Sequence, residues 1–229
     1  MNLRLNTLAN MVDTGSRVAD IGTDHAYLPI ELVKSGKIDF AIASDIASGP
    51  LANAKQDIIE AGLAEKIEPR LGAGLDTVNK EDQIDTVVIA GMGGKLMTQI
   101  LTTSWENGLS FDTLILAPNI GEYGVRKWLI KHSYHIQAEQ IIAEAGHIYE
   151  LIKAKKVAKL ETLTQAQLFF GPIIIKEKNP VFYQKWQDQL HYHERLLDNL
   201  NKAKQKDFLR IKKVEQEIEL IEGELNDQS

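Results

Sequence analysis

Apolar positions along the first two-thirds of the chain follow two alternating rhythms. Short apolar runs of strand length occur at Val18–Gly22, Phe40–Asp45, Ile67–Leu71, Thr86–Ala90 and Thr113–Ala117. The fourth, Thr-Val-Val-Ile-Ala, is almost wholly apolar, as a central parallel strand covered on both faces should be. Between these runs the spacing becomes helical. A helix is predicted over Leu3–Val12, with Leu5, Leu8, Ala9 and Val12 on one face, and a turn follows at Thr14-Gly15-Ser16. Further helices are predicted at Tyr27–Ser35, Pro50–Ala61, Lys95–Leu101 and Tyr123–His132, the first two stopped by Gly36 and Gly62. Strands separated by crossover helices predict a doubly wound, mostly parallel sheet in an α/β fold. The rhythm then changes: His135–Glu144 and His147–Ala154 are extended runs joined only by Ala145-Gly146. No helix fits between them, so they should pair as an antiparallel hairpin and bring the sheet to seven strands.

Beyond Lys156 a second domain is expected, dividing the chain into 1–156 and 157–229. Thr162–Gly171 is a short helical pattern broken at Gly171-Pro172. From Pro180 there is no further Gly or Pro until Gly223. Phe182, Trp186, Leu190, His193, Leu197 and Leu200 recur every three or four residues, and a similar series runs from Phe208 to Leu225. This predicts a helical, coiled-coil-like hairpin that turns near Lys204–Asp207, with Asp207 as N-cap. One uninterrupted helix is the competing reading.

Composition narrows the class. Hydrophobic residues make up 44% and charged residues 25%, so a folded globular chain is expected rather than disorder. There is no Cys, which removes disulfides, thiolate metal sites and a Cys nucleophile. No apolar run reaches the ~18 residues that suggest a membrane span. The N-terminal stretch does not read as a signal peptide, and a cytoplasmic location is expected. The net charge of −6 argues at first against a polyanionic partner. It averages unlike parts, however. Residues 1–153 hold 13 basic and 20 acidic side chains, whereas residues 195–213 hold seven basic and two acidic. Lys202, Lys204 and Lys206 lie in that basic stretch, where a phosphate backbone could be gripped.

Open parallel sheets bind ligands beyond the carboxyl ends of their strands. At that edge the first loop reads Asp20-Ile-Gly-Thr-Asp-His-Ala-Tyr, with one glycine, Gly22, where a dinucleotide fingerprint needs three. Asp20, Asp24 and His25 suit a cationic ligand better than a diphosphate. Asp45 ends the second strand, where an acid commonly accepts ribose hydroxyls. Gly72-Ala73-Gly74 and Gly91-Met92-Gly93-Gly94 offer close backbone approach, and Met92 an apolar cover for a flat ring. Pro118-Asn119 brings a side-chain amide to the same edge. None of the six histidines has zinc-ligand spacing with carboxylate support, so no metal is expected.

The strings DIGTDHAYLPIELV at 20–33 and VIAGMGG at 88–94, with Pro118-Asn119, resemble the bacterial tRNA (adenine-22-N1)-methyltransferase family. The resemblance spans nearly the whole chain, and a parallel sheet ending in an antiparallel hairpin suits a Rossmann-like class I methyltransferase. It implies S-adenosylmethionine as methyl donor and adenine 22 of the tRNA D-loop as acceptor; no protein partner is implied, and no membrane is expected. It further implies Asp20, Gly22, Asp24 and His25 beside the methionine part and sulfonium, and Asp45 on the ribose. Gly72, Ala73 and Gly74 would flank the cofactor adenine, and Gly91, Met92 and Gly93 would lie beside sulfonium and target base. Arg4 and Tyr27 are then candidates for contacting RNA. Asp24 and Asn119 are the catalytic candidates, as oxygen acceptors near a base that becomes cationic. Ala73 and Ala117 depart from the family pattern of Asp and Gln at those positions. The alternatives are a methyltransferase for another RNA, a protein or a small molecule, and, less favoured, an NAD-binding oxidoreductase.

Overall fold

The computed structural model describes residues 2–159 and 162–226, and the chain divides into two compact units that meet at Ile173/Ile174. In the first unit, β1 (Arg17–Ile21), β2 (Phe40–Asp45), β3 (Ile67–Leu71), β4 (Thr86–Ala90) and β5 (Thr113–Ala117) run parallel. β6 (Tyr134–Glu144) and β7 (His147–Lys156) complete a seven-stranded sheet in the order β3-β2-β1-β4-β5-β7-β6, with β7 antiparallel to both neighbours. The order reverses between β1 and β4, which places the switch point at the centre of the sheet.

Helices cover both faces. α1 (Leu3–Met11), α2 (Tyr27–Lys34) and α3 (Ser48–Glu60) bury Leu8, Leu32 and Ile58 against Val88 and Ile115. α4 (Gly94–Glu106) and α5 (Glu122–Lys131) bury Met97, Leu101 and Leu129 against Ile89 and Leu116. The uninterrupted burial of β5, and of β4 up to Ala90, follows from this double cover. The expected hairpin forms with Ala145 and Gly146 at φ 50 and 79, the positive pair that a tight two-residue hairpin turn requires.

The sheet unit continues past the expected boundary at residue 156 because α6 (Gln165–Phe170) is tied to it. Arg126 on α5 is fully buried between Glu139 and Glu150 of β6 and β7, with Nε 2.7 Å from Glu139 Oε1. Glu139 Oε2 also accepts from the Ile173 N–H at 2.9 Å. These bonds fasten residues up to Ile173 to the sheet.

The second unit is helical: α7 (Ile174–Glu177), α8 (Pro180–Lys202) and α9 (Phe208–Asn226). Asn179 caps α8 by accepting from the Phe182 N–H, with Pro180 at the first helical position. Phe182, Trp186 and His193 of α8 are buried, as are Ile211, Val214 and Ile221 of α9. His193 Nε2 meets Glu217 at 3.2 Å and Lys178 meets Glu224 at 2.7 Å, so the two long helices run antiparallel. Between them Ala203 is extended, and the Asp207 carboxylate accepts from the Arg210 N–H, which is the expected cap. The chain therefore makes two helices here, not one.

Candidate active site

At the carboxyl edge of β1, β2 and β4 lies a cleft of about 270 Å³. Gly22, Asp45, Gly72, Ala73, Gly74 and Met92, all sequence candidates, line it. Ile21, Ser44, Ile46, Asp76, Leu96, Gln99, Ile100 and Thr103 also line it, beyond the site residues named from the sequence. The last four come from one face of α4 at spacings of three and four. Spacing of this kind marks one face of a helix without saying whether that face meets a core or a cleft.

Each strand end contributes by its own geometry. The Gly22 and Thr23 N–H groups donate to Ser44 O at 2.8 and 2.9 Å, which seats the first loop across the end of β2. The Ser44 hydroxyl is buried and has no hydrogen-bond partner. Asp45 Oδ1 accepts from the Ala47 N–H at 2.6 Å, leaving its second oxygen for a ligand at the cleft. Gly72 and Gly74 have no room for a β-carbon, which would lie 2.6 Å from Thr77 and 2.9 Å from Ile100. Small residues here keep the cleft wall flat.

Asp20 sits behind the first loop, 7% exposed, with Thr23 Oγ1 donating to it at 2.7 Å. Burial raises its pKa to about 6, helped by the charges of Asp24 and Asp45 and opposed by the Thr23 bond. Asp24 and His25 stand outside the cleft lining, on the outer part of the loop. Asp24 makes no side-chain cap to α2, whose N-cap is Ala26. His25 is bonded to Asp57 of α3 at 2.8 Å and stacked on Tyr27, with ring centroids 5.2 Å apart.

The loop after β4 is held by Asn119. Its Nδ2 donates to Gly91 O at 2.8 Å and its backbone N–H donates to Met92 O at 2.8 Å. One of the two amide N–H groups is thereby used on the loop, and no hydrogen bond ties up Oδ1 among those that hold the loop. Gly91 and Gly93 flank the cleft through Met92 rather than lining it. Arg4 reaches this loop from α1: its Nη1 is 3.9 Å from the position of a β-carbon on Gly91. Its guanidinium lies 4.9 Å from the Tyr149 ring centroid, and its buried Nε has no hydrogen-bond partner. Lys202, Lys204 and Lys206 are exposed in the second unit, at the end of α8 and in the turn after it. Among the described residues there is no group of three or more side chains arranged to hold a metal ion. No helix there is long and apolar enough to cross a membrane.

Known proteins share this architecture. A Bacillus subtilis tRNA (adenine(22)-N(1))-methyltransferase is 36% identical over 207 residues, covering 89% of this chain and 87% of the relative. A Streptococcus pneumoniae putative tRNA (m1A22) methyltransferase, solved in complex with S-adenosyl-L-methionine, superposes with a TM-score of 0.89 at 36% identity. That match covers 99% of this chain and 100% of that one. An M. capricolum relative solved with S-adenosyl-homocysteine matches at TM-score 0.87 and 30% identity, over 99% and 98% of the two chains. The family model for tRNA (adenine(22)-N(1))-methyltransferase matches residues 18–223, and with these relatives it shows that the chain belongs to that family.

Proposed function

We propose that this chain transfers a methyl group from S-adenosylmethionine to N1 of adenine 22 in tRNA. The observation that carries this reading is the cleft at the switch point between β1 and β4, in a chain of this family. The cleft suits the cofactor: it is lined by small residues, carries carboxylates, and holds a buried Ser44 hydroxyl that lacks a partner. The raised Asp20 pKa fits a neighbour that expects a cation, here the amino group of the methionine part. In this reading Asp45 holds the ribose hydroxyls, and Gly72, Ala73 and Gly74 flank the adenine, with Ile100 as a further wall. Asp76 supplies the carboxylate that Ala73 lacks.

When bound, the cofactor supplies a sulfonium-activated methyl group. Adenine N1 has an in-plane lone pair and no proton, so the chain needs no general base before attack. Its task is alignment for in-line displacement and stabilisation of a ring that becomes cationic. The Gly91–Gly93 loop, clamped by Asn119, sets the close approach, while Asp24 and the Asn119 amide oxygen offer acceptors for the developing charge. Tyr27, 46% exposed, offers a ring for stacking. Arg4, Lys202, Lys204 and Lys206 contribute positive charge toward the tRNA. A cytoplasmic location belongs to this reading, and a tRNA substrate supports it.

The test is nucleoside analysis after incubation with labelled cofactor and tRNAs bearing adenine or guanine at position 22. Label should appear as 1-methyladenosine in the first and be absent from position 22 of the second. Equal labelling would overturn the site assignment.

A further inference from the structure

The outer part of the loop after β1 holds an arrangement that lies outside the cleft lining. His25 and Ala26 both take left-handed backbone, at φ 54 and 50, a conformation disfavoured for residues other than glycine. Two things hold them there. The Ala26 side chain is fully buried, and His25 Nδ1 is 2.8 Å from Asp57 Oδ2. Asp57 lies on another element, α3, and is the partner that fixes the imidazole. The far ring nitrogen, Nε2, is 4.0 Å from Asp24 Oδ1, and the Asp24 side chain is 87% exposed. The Tyr27 ring lies nearly parallel to the imidazole, at 13°.

The carboxylate of Asp57 only accepts hydrogen bonds, so Nδ1 must carry the ring proton. A neutral imidazole has one N–H, and Nε2 is then an acceptor. With the ring neutral, Nε2 and Asp24 Oδ1, 4.0 Å apart, form two acceptors side by side on an accessible edge. The group that satisfies both is one with two N–H donors, such as an exocyclic amine. Adenine carries an amine beside N1. Guanine carries there a carbonyl oxygen, which two acceptors would repel.

We propose that Asp57 is a positioning residue that sets His25 Nε2 as an acceptor, and that His25 and Asp24 together read the 6-amino group of the target adenine. This rests on the methyl-transfer reading above and adds a base-selecting element to it. As the ring gains positive charge its amino hydrogens become stronger donors, so these bonds tighten toward the transition state.

The experiment uses the full chain and tRNA carrying adenosine or purine riboside at position 22, the latter lacking the 6-amino group. The quantity read is the ratio of kcat/KM for the two tRNAs, and its change between variants removes the lower intrinsic nucleophilicity of purine. His25→Ala and Asp57→Ala, on different elements, should each shrink the ratio by about tenfold, the scale of one charge-assisted hydrogen bond. Asp57→Asn, whose amide oxygen still accepts from Nδ1–H, should keep a ratio near that of the unsubstituted protein. If both alanine variants lower the two rates alike and leave the ratio unchanged, the residues serve only the loop's shape and the proposal is overturned. Failure of the unsubstituted protein to methylate adenosine-22 tRNA is a separate result, which removes the methyl-transfer reading itself.

Discussion

The Met92 side chain occupies the space that a β-carbon on Gly22 would need, with Met92 Cε only 2.3 Å from that position. The loops after β1 and β4 thus close on each other through a residue with no side chain and one with a flexible side chain. Gly22 also sits at φ +78, so any replacement there is strained as well as crowded. Gly22→Ala should weaken S-adenosylmethionine binding by roughly ten- to a hundredfold, the equivalent of the 1–3 kcal/mol such strain costs. Adding Met92→Ala should recover only part of the loss, since it relieves the contact and not the backbone. Calorimetric titration of cofactor checks both, and full recovery in the double variant would show that the backbone conformation contributes nothing.

Asp20 predicts an unusual pH dependence. Its carboxyl is pushed up from 3.8 to about 6, chiefly by burial, so the folded chain holds this proton more tightly than the unfolded chain does. The cost of burying the charge is full above pH 6 and fades as pH falls from about 6 to about 4. It amounts to something on the order of 3 kcal/mol. Asp20→Asn should therefore be more stable than the unsubstituted chain at pH 7.5, with the difference shrinking toward pH 5. Cofactor affinity should move the opposite way, falling as pH drops through 6 in the unsubstituted chain and staying low and flat in Asp20→Asn. Urea unfolding and cofactor titration at both pH values separate the two effects. A stability difference that is the same at both would mean that Asp20 does not titrate in this range.

Arg126 predicts a cost of a different kind. It is fully buried between two buried carboxylates, and a β-carbon on Gly171 would lie 2.6 Å from its Nη2. Arg126→Ala leaves Glu139 and Glu150 buried without their cation, and should cost about 3–5 kcal/mol. Replacing all three charged residues with apolar side chains of similar volume should cost much less, since no orphan charge remains. Chemical denaturation of both variants is the measurement. Equal losses would mean that packing, not charge pairing, holds residues 165–173 to the sheet.

Much of the fold was legible because strands and helices leave periodic traces. The seven strands, the crossovers and the final hairpin follow from runs such as Thr86–Ala90 and from the Ala145-Gly146 turn. What stayed hidden depends on contacts across the chain. The end of the sheet unit at Ile173 is set by Arg126 meeting residues of β6, β7 and α6, and no local pattern announces that. Asp57 reads as an exposed helix acid until α3 is placed beside the first loop, 32 residues away in sequence. Gly22, Asp45, Gly72 and Gly74, which line the cleft, could be named from the sequence because their positions at strand ends, not their contacts, mark the edge where open parallel sheets bind ligands. The wall supplied by α4 was missed because a helix face lining a cleft has the same spacing as one lining a core.

The basic stretch of the helical hairpin yields a prediction that separates charge from shape. Lys202, Lys204 and Lys206 are exposed, and of these Lys202 pairs with Asp198, a neighbour on its own helix. Exposed pairs of that kind contribute little to stability, so reversing these lysines should leave the melting temperature near its starting value. Each phosphate contact that is lost should lower the dependence of log affinity on log salt by about 0.7–0.9. The variant Lys202→Glu, Lys204→Glu, Lys206→Glu should therefore bind tRNA more weakly, with a slope reduced by up to about 2–3, while its affinity for S-adenosylmethionine is unchanged. Filter binding across a salt series gives the slope directly. Weaker binding with the original slope would mean that these lysines shape the turn without touching phosphate. Unchanged binding would move the tRNA contact to another face, with Arg4 beside the Gly91 loop as the next group to substitute.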